Sequence, residues 1–162
     1  MNEWGGNRRL VLAAVVAIGV LLGACADNGS SVTKWWNHGV DSDVDALLTS
    51  FTTAETANNE AEVSGLDTDF DTLLAACSGE EAAARKLKDD DPVPDAKLQE
   101  EWASALDSSV HAGTACTLAA ERRDLAMLGT QTQLFSDAET KMTTVVSKLA
   151  EKGDLRPLHQ AG

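Results

Sequence analysis

Three cysteines are the residues of this chain most able to do covalent chemistry, and they sit in two different settings. Cys25 follows the small residues Gly23 and Ala24, directly after the apolar run Leu10 to Leu22. Cys77 and Cys116 fall among apolar residues at helical spacing, where a thiol either pairs or packs as a small hydrophobe. Carboxylates are the next candidates: Asp41, Asp43 and Asp45, then Asp67, Asp69 and Asp71, alternate as the first ligands of a calcium-binding loop do. Neither run completes such a loop. Its sixth position, a turning Gly, is Ala46 or Thr72, and its twelfth, a bidentate Glu, is Thr52 or Ser78. Acids favoured by the dipole of a helix's first turn account for both runs, and a solvated loop accounts for Asp89 to Asp91. His38, His111 and His159 are scattered without paired spacing, so no metal site is expected. No nucleophile elbow, phosphate-cradling glycine loop or Ser, His and acid set is present, so no cofactor is implied and a non-catalytic protein is expected.

The cysteine nearest the start has the most specific context. A short polar opening with Arg8 and Arg9 precedes the apolar run, which has the order of an export signal. About 13 helical residues span about 20 Å, short of the roughly 30 Å hydrocarbon core, so a permanent spanning helix is disfavoured. Leu22-Gly23-Ala24-Cys25 resembles the lipobox of bacterial lipoproteins. The resemblance implies a diacylglyceryl group on the Cys25 sulfur, cleavage of residues 1–24, and anchoring at the extracytoplasmic face of the cell membrane. A glyceride with two acyl chains meets the two-chain condition for stable anchoring.

The whole chain carries a formal charge of −13, and removal of residues 1–24 leaves 11 Lys and Arg against 25 Asp and Glu, or −14. That excess argues against nucleic acid and against adhesion of the domain body to anionic headgroups. Residues 25–40 read as a flexible polar tether, since Ala26 to Asn37 is rich in Asn, Gly, Ser and Thr. Within it, Trp35 and Trp36 have two placements open: the headgroup region, where amphipathic rings are favoured, or docking on the domain.

Residues 41–153 show helical spacing of apolar residues and no strand-like alternation, so the fold class is all-α, an antiparallel four-helix bundle. The first helix starts near Asp41 and presents Val44, Leu47, Leu48, Phe51 and Ala54, ending before Ser64-Gly65. The second starts at Asp67 and shows Phe70, Leu73, Leu74, Cys77, Ala84 and Leu87, until Pro92 and Pro94 break the chain. Asp95 caps a third helix with Leu98, Trp102, Ala105, Ser109, Ala112, Cys116 and Ala119 inward. After a turn around Arg122 to Gly129, the fourth buries Leu134 or Phe135, Ala138, Met142, Val145 and Leu149, and Gly153 ends it. Residues 154–162 form a tail. Many core positions are Ala, Ser or Thr, so the core is thin.

With Cys25 assigned to lipid, Cys77 and Cys116 are left as an even pair in an oxidising compartment. A disulfide between them closes a loop of roughly 40 residues and stabilises by about 4 kcal/mol on the chain-entropy model. Two reduced, buried thiols are the alternative. A straight hairpin about Asp91 to Pro94 would set Cys77 opposite Leu106, about 15 Å from Cys116 and beyond the roughly 7 Å α-carbon limit. Ser78-Gly79, with Glu81 completing a capping box, offers a break, so a separate short helix over 80–88 is expected.

Pro92-Val93-Pro94-Asp95, Trp102, Ala105-Leu106 and Cys116 are similar to small Ala-rich actinobacterial exported lipoproteins of unassigned function. The functional expectation is a lipid-anchored, non-catalytic interaction module acting on an envelope protein partner, as an accessory subunit or exclusion factor. The alternative is a small-ligand or lipid carrier, with helices splayed around a cavity.

Overall fold

The computed structural model describes residues 28–155, so the signal segment 1–24, Cys25 and most of the tail lie outside the described residues. Five helices follow in order: α1 (Asn28–Trp35), α2 (Asp41–Ser64), α3 (Phe70–Asp89), α4 (Ala96–Arg122) and α5 (Leu125–Gly153). A wide turn, Trp36–Val40, joins α1 to α2, and a short 3-10 turn, Gly65–Asp67, follows α2. The protein is an all-α bundle in which α2 packs on α3 and α5, and α4 packs on the same two helices from the other side.

The helix starts follow from their caps. The Asp69 carboxylate accepts from Thr72 N–H, Asp95 from Lys97 and Leu98 N–H, and Asp124 from Met127 N–H, each satisfying donors that the first turn leaves free. The second long helix therefore begins at Phe70 rather than Asp67. The turn expected over Arg122 to Gly129 contracts to Arg123 and Asp124, because Arg123 takes the left-handed conformation (φ 53°) and its N–H closes on the last carbonyls of α4. The expected inward faces are otherwise observed: Val44, Leu47, Phe51, Ala54, Leu73, Cys77, Ala84, Leu87 and the α4 stripe from Leu98 to Ala119 are buried. In α5 it is Phe135 that is buried, with Leu134 only partly covered.

The expected break at Ser78-Gly79 does not occur, although the disulfide does. Helix α3 runs without interruption from Phe70 to Asp89, and Cys77 is bonded to Cys116 with α-carbons 5.5 Å apart. Three contacts set one antiparallel register: this disulfide, the Lys88 Nζ to Asp107 Oδ1 pair at 2.6 Å, and Gly113 against Glu81. On that register the end of α3 stands beside Ala105, not beside the start of α4. The connection 90–95 is what makes the offset possible. Asp90 (ψ 167°) and Asp95 (ψ 115°) are extended, and each residue before Pro92 and Pro94 is held extended by the ring that follows it. Six residues, if fully extended, reach as far as about 13 helical ones, so a mostly extended connection can run back along the first turns of α4, where Val93 N–H meets Gln99, instead of reversing in place.

Of the tether expected over 25–40, residues 28–35 form helix α1 and 36–40 the turn into α2, with non-helical backbone at His38 and Gly39. Its composition has weak helix propensity, but Val32, Trp36 and Val40 are buried in the same core as the long helices, and tertiary packing decides. Gly39, at φ 109°, allows the kink between α1 and α2 that lays α1 against α5.

The continuous helix and its register predict opposite effects for two glycines. Gly79 is exposed, helical and has open space at its Cβ position. Gly79→Ala should raise stability by about 0.5–1 kcal/mol. At Gly113 a Cβ would lie 2.8 Å from the backbone N of Glu81. Gly113→Ala should force α3 and α4 apart and cost about 1–3 kcal/mol, read from urea unfolding midpoints. A destabilising Gly79→Ala would mean that Gly79 ends a helix after all.

Candidate functional site

Two places in the bundle carry chemistry that the core alone does not explain. The first is the end where α1, the connection 90–95 and the C-terminus of α5 meet. Because α3 stops level with Ala105, the first turns of α4 lack a helical partner on that side. Trp36, 5 % exposed, and buried Val93 belong to the core there, and Trp35 stands edge-on to Trp102 with ring centroids 5.6 Å apart. The Trp35 indole N–H donates to the Asp91 carbonyl at 2.7 Å, and Val93 N–H donates to Gln99 Oε1 at 2.7 Å. Trp36 is buried in the bundle, and Trp35 docks on it partly buried. The Thr33 hydroxyl donates to the Gly153 carbonyl at 2.6 Å, tying α1 to the end of α5.

Beside this joint lies a cleft of about 460 Å³ lined by Lys34, Trp35, His38, Asp43, Asp90 and Asp91, among others. Several of its polar groups, the Asp43 carboxylate, the His38 ring and the Trp35 indole among them, are engaged within the protein. Lys86 Nζ donates to Asp43 Oδ1 at 2.6 Å, and this bond, reinforced by the Asp43 and Asp90 charges, raises the lysine above its ordinary range. His38 Nδ1 lies 2.7 Å from the Lys34 carbonyl oxygen. Among the described residues no group of three or more His, Cys, Asp or Glu side chains is arranged to hold a metal. Asp41 and Asp43 sit in the first turn of α2, Asp71 in that of α3, and Asp69 caps α3. Asp89, Asp90 and Asp91 are all exposed, as is His111, whereas His159 lies outside the described residues.

The second place is Glu80. It is fully buried, and neither carboxyl oxygen has a hydrogen-bond partner among the described residues. Burial, aided by the adjacent Glu81 carboxylate, pushes its pKa up to about 8. Glu80 is one turn along α3 from Cys77, where the glycine contact draws α4 closest. Sequence reading placed it in a separate short helix and missed its burial. The signal was there: Leu73, Cys77, Glu80, Ala84 and Leu87 form one unbroken inward stripe. Among the described residues Asn58, Thr117 and Gln131 also carry a buried side-chain oxygen without a partner, although Asn58 Nδ2 reaches Glu62 and Thr132 across α2 and α5.

No protein-family model matches the chain, and no significant match is found among curated proteins or solved structures.

Glu80 gives the protein a pH dependence of defined sign. The unfolded chain releases this proton near pH 4.5 and the folded chain near pH 8, so the folded state binds the extra proton between them. Stability therefore falls as pH rises through that window, by on the order of 5 kcal/mol in all. Below it, Asp69 and Asp95 act in the opposite sense. The Thr72 hydroxyl and N–H lower the first, and Leu98 N–H chiefly lowers the second, so stability also falls as these caps protonate in acid. Glu80→Gln should abolish the decline between about pH 5 and about pH 9 while leaving the acid limb in place. Parallel urea profiles for both proteins across that range would contradict this assignment.

Proposed function

We propose that this protein is a bacterial lipoprotein, held at the extracytoplasmic face of the cell membrane by a diacylglyceryl group on Cys25, and that its acidic bundle serves there as a non-catalytic interaction module. The observation that carries the reading is the order of the first 25 residues: Arg8 and Arg9, the apolar run Leu10 to Leu22, then Gly23-Ala24-Cys25. Assigning Cys25 to lipid leaves Cys77 and Cys116 as the remaining pair, and their disulfide accords with an oxidising compartment. Among the described residues no helix is long and apolar enough to cross a membrane. An anchor outside them is what this proposal supplies.

An interaction module fits the surface better than a carrier does. Leu47, Leu73, Leu106, Leu128, Met142 and Leu149 fill the interior between the helices. The spaces beside it are open grooves on the outside, such as that between α2 and α3 lined by Thr52, Thr56, Ala57, Glu60, Ala75 and Ala76. The partner is an envelope protein, served as an accessory subunit or restrained as an exclusion factor. Anchoring raises the local concentration of the bundle at the membrane, where such a partner resides.

Metabolic labelling with a palmitate analogue tests the anchor. The wild-type chain should take up label and sediment with membranes, and Cys25→Ser should do neither and appear in the medium. Continued membrane association of the Ser variant would overturn the lipoprotein reading. Crosslinking in intact cells should then capture the same envelope protein only with the anchored form.

A further inference from the structure

The docking of α1 removes the slack from any anchor at Cys25. From Cys25 to Asn28 the chain can reach at most about 11 Å, whatever conformation it takes. Asn28 opens α1, and α1 is fixed to the bundle by the Thr33 to Gly153 and Trp35 to Asp91 hydrogen bonds and by buried Val32 and Trp36. The same end holds the start of α4 and the end of α5, joined by the Lys152 to Asp95 pair. An anchor here is a mount rather than a leash.

We propose that the bundle stands end-on to the bilayer, with the end formed by α1, residues 90–95 and the C-terminus of α5 against the lipid. The opposite end, with the turns Gly65–Asp67 and Arg123-Asp124, is held about 40 Å outward, the length of α4. The inference rests on the lipid-anchor reading and adds an orientation to it. Two features oppose the bundle's lying on its side. A helix that rests in the headgroup layer does so through an apolar face, yet the only large apolar side chain exposed among the described residues is Val63, at 89 %, in the last turn of α2 at the far end. The side walls also carry exposed acids, including Glu60, Asp71, Glu100, Asp107 and Asp137, within an anchored chain of net charge −14. An anionic surface repels such walls, and the upright pose carries most of them beyond the roughly 10 Å screening length; the exposed acids of the mounted end, Asp90 and Asp91 among them, stay near the surface because the short Cys25 to Asn28 link holds that end there. A partner would then be met at the outward end or along the upper walls.

The full-length lipidated protein, reconstituted in phosphatidylglycerol vesicles bearing a headgroup acceptor dye, tests the pose. A donor fluorophore is placed at Lys97→Cys near the proposed membrane end, or at Glu121→Cys near the far end. Energy transfer should be at least about threefold higher from position 97, given the roughly 40 Å separation along α4. Inserting ten Gly and Ser residues after Asp27 should shrink that contrast toward unity, since a flexible linker of that length frees the mount. Equal transfer from the two positions without the insertion would overturn the upright pose while leaving anchoring intact. No transfer from either, with the protein recovered free of vesicles, would overturn the anchor on which the pose rests.

Discussion

The register of α3 against α4 is the constraint on which the rest of the structure depends. It is pinned where Gly113 lets the backbone of α4 meet the backbone of α3 at Glu81, and where Cys77 and Cys116 are bonded one turn away. A side chain at Gly113 would deny that approach and push apart the two helices that the disulfide joins. The same register leaves the first turns of α4 extending past the end of α3. Burying Leu98 and Trp102 there requires other chain, which Val93, Trp35 and Trp36 supply. The N-terminal helix is thus a consequence of a contact formed at the middle of the bundle.

Close helix approach also explains what the core is made of. Ala54, Ala61, Ala84, Ala105, Ala112, Ala119, Ala120 and Ala138 are all buried, so the helices meet through small residues and bury modest apolar area at each contact. A core of that kind gains from a covalent crosslink across its tightest seam. Glu80 runs the other way. Placing a carboxyl on the inward stripe without a partner keeps it protonated near neutrality and makes part of the stability conditional on pH. Among the described residues no hydrogen bond compensates it.

Fold class, the four long helices and most of their inward faces were legible because periodicity along Val44 to Ala54 and Leu98 to Ala119 is a local property of sequence. Caps were legible for the same reason at Asp95. What escaped was non-local. Ser78-Gly79 has the local chemistry of a helix end, but Cys77, Glu80, Ala84 and Leu87 bury one continuous face across it, and that burial outweighs a weak cap signal. Residues 28–40 have weak helix propensity, and α1 with its turn into α2 exists because a vacancy elsewhere receives Val32, Trp36 and Val40. The vacancy follows from the path of residues 90–95, whose prolines announce extended chain without saying which way it runs. The candidate site suffers the same limit: no constellation of side chains marks it in sequence, and the tryptophan pair acquires meaning only against Trp102.

The central claim is that residues 28–40, between the proposed anchor and α2, are a structured part of the bundle rather than a tether. Hydrogen exchange of backbone amides over residues 31–40 in the membrane-anchored protein tests it most directly. Amides of Trp35, Trp36 and Val40 should be protected to nearly the same degree as those of Trp102 and Ala105 in α4, because they close over the same core. Exchange of 31–40 at the rate of an unstructured peptide, with α2 to α5 still protected, would contradict the account.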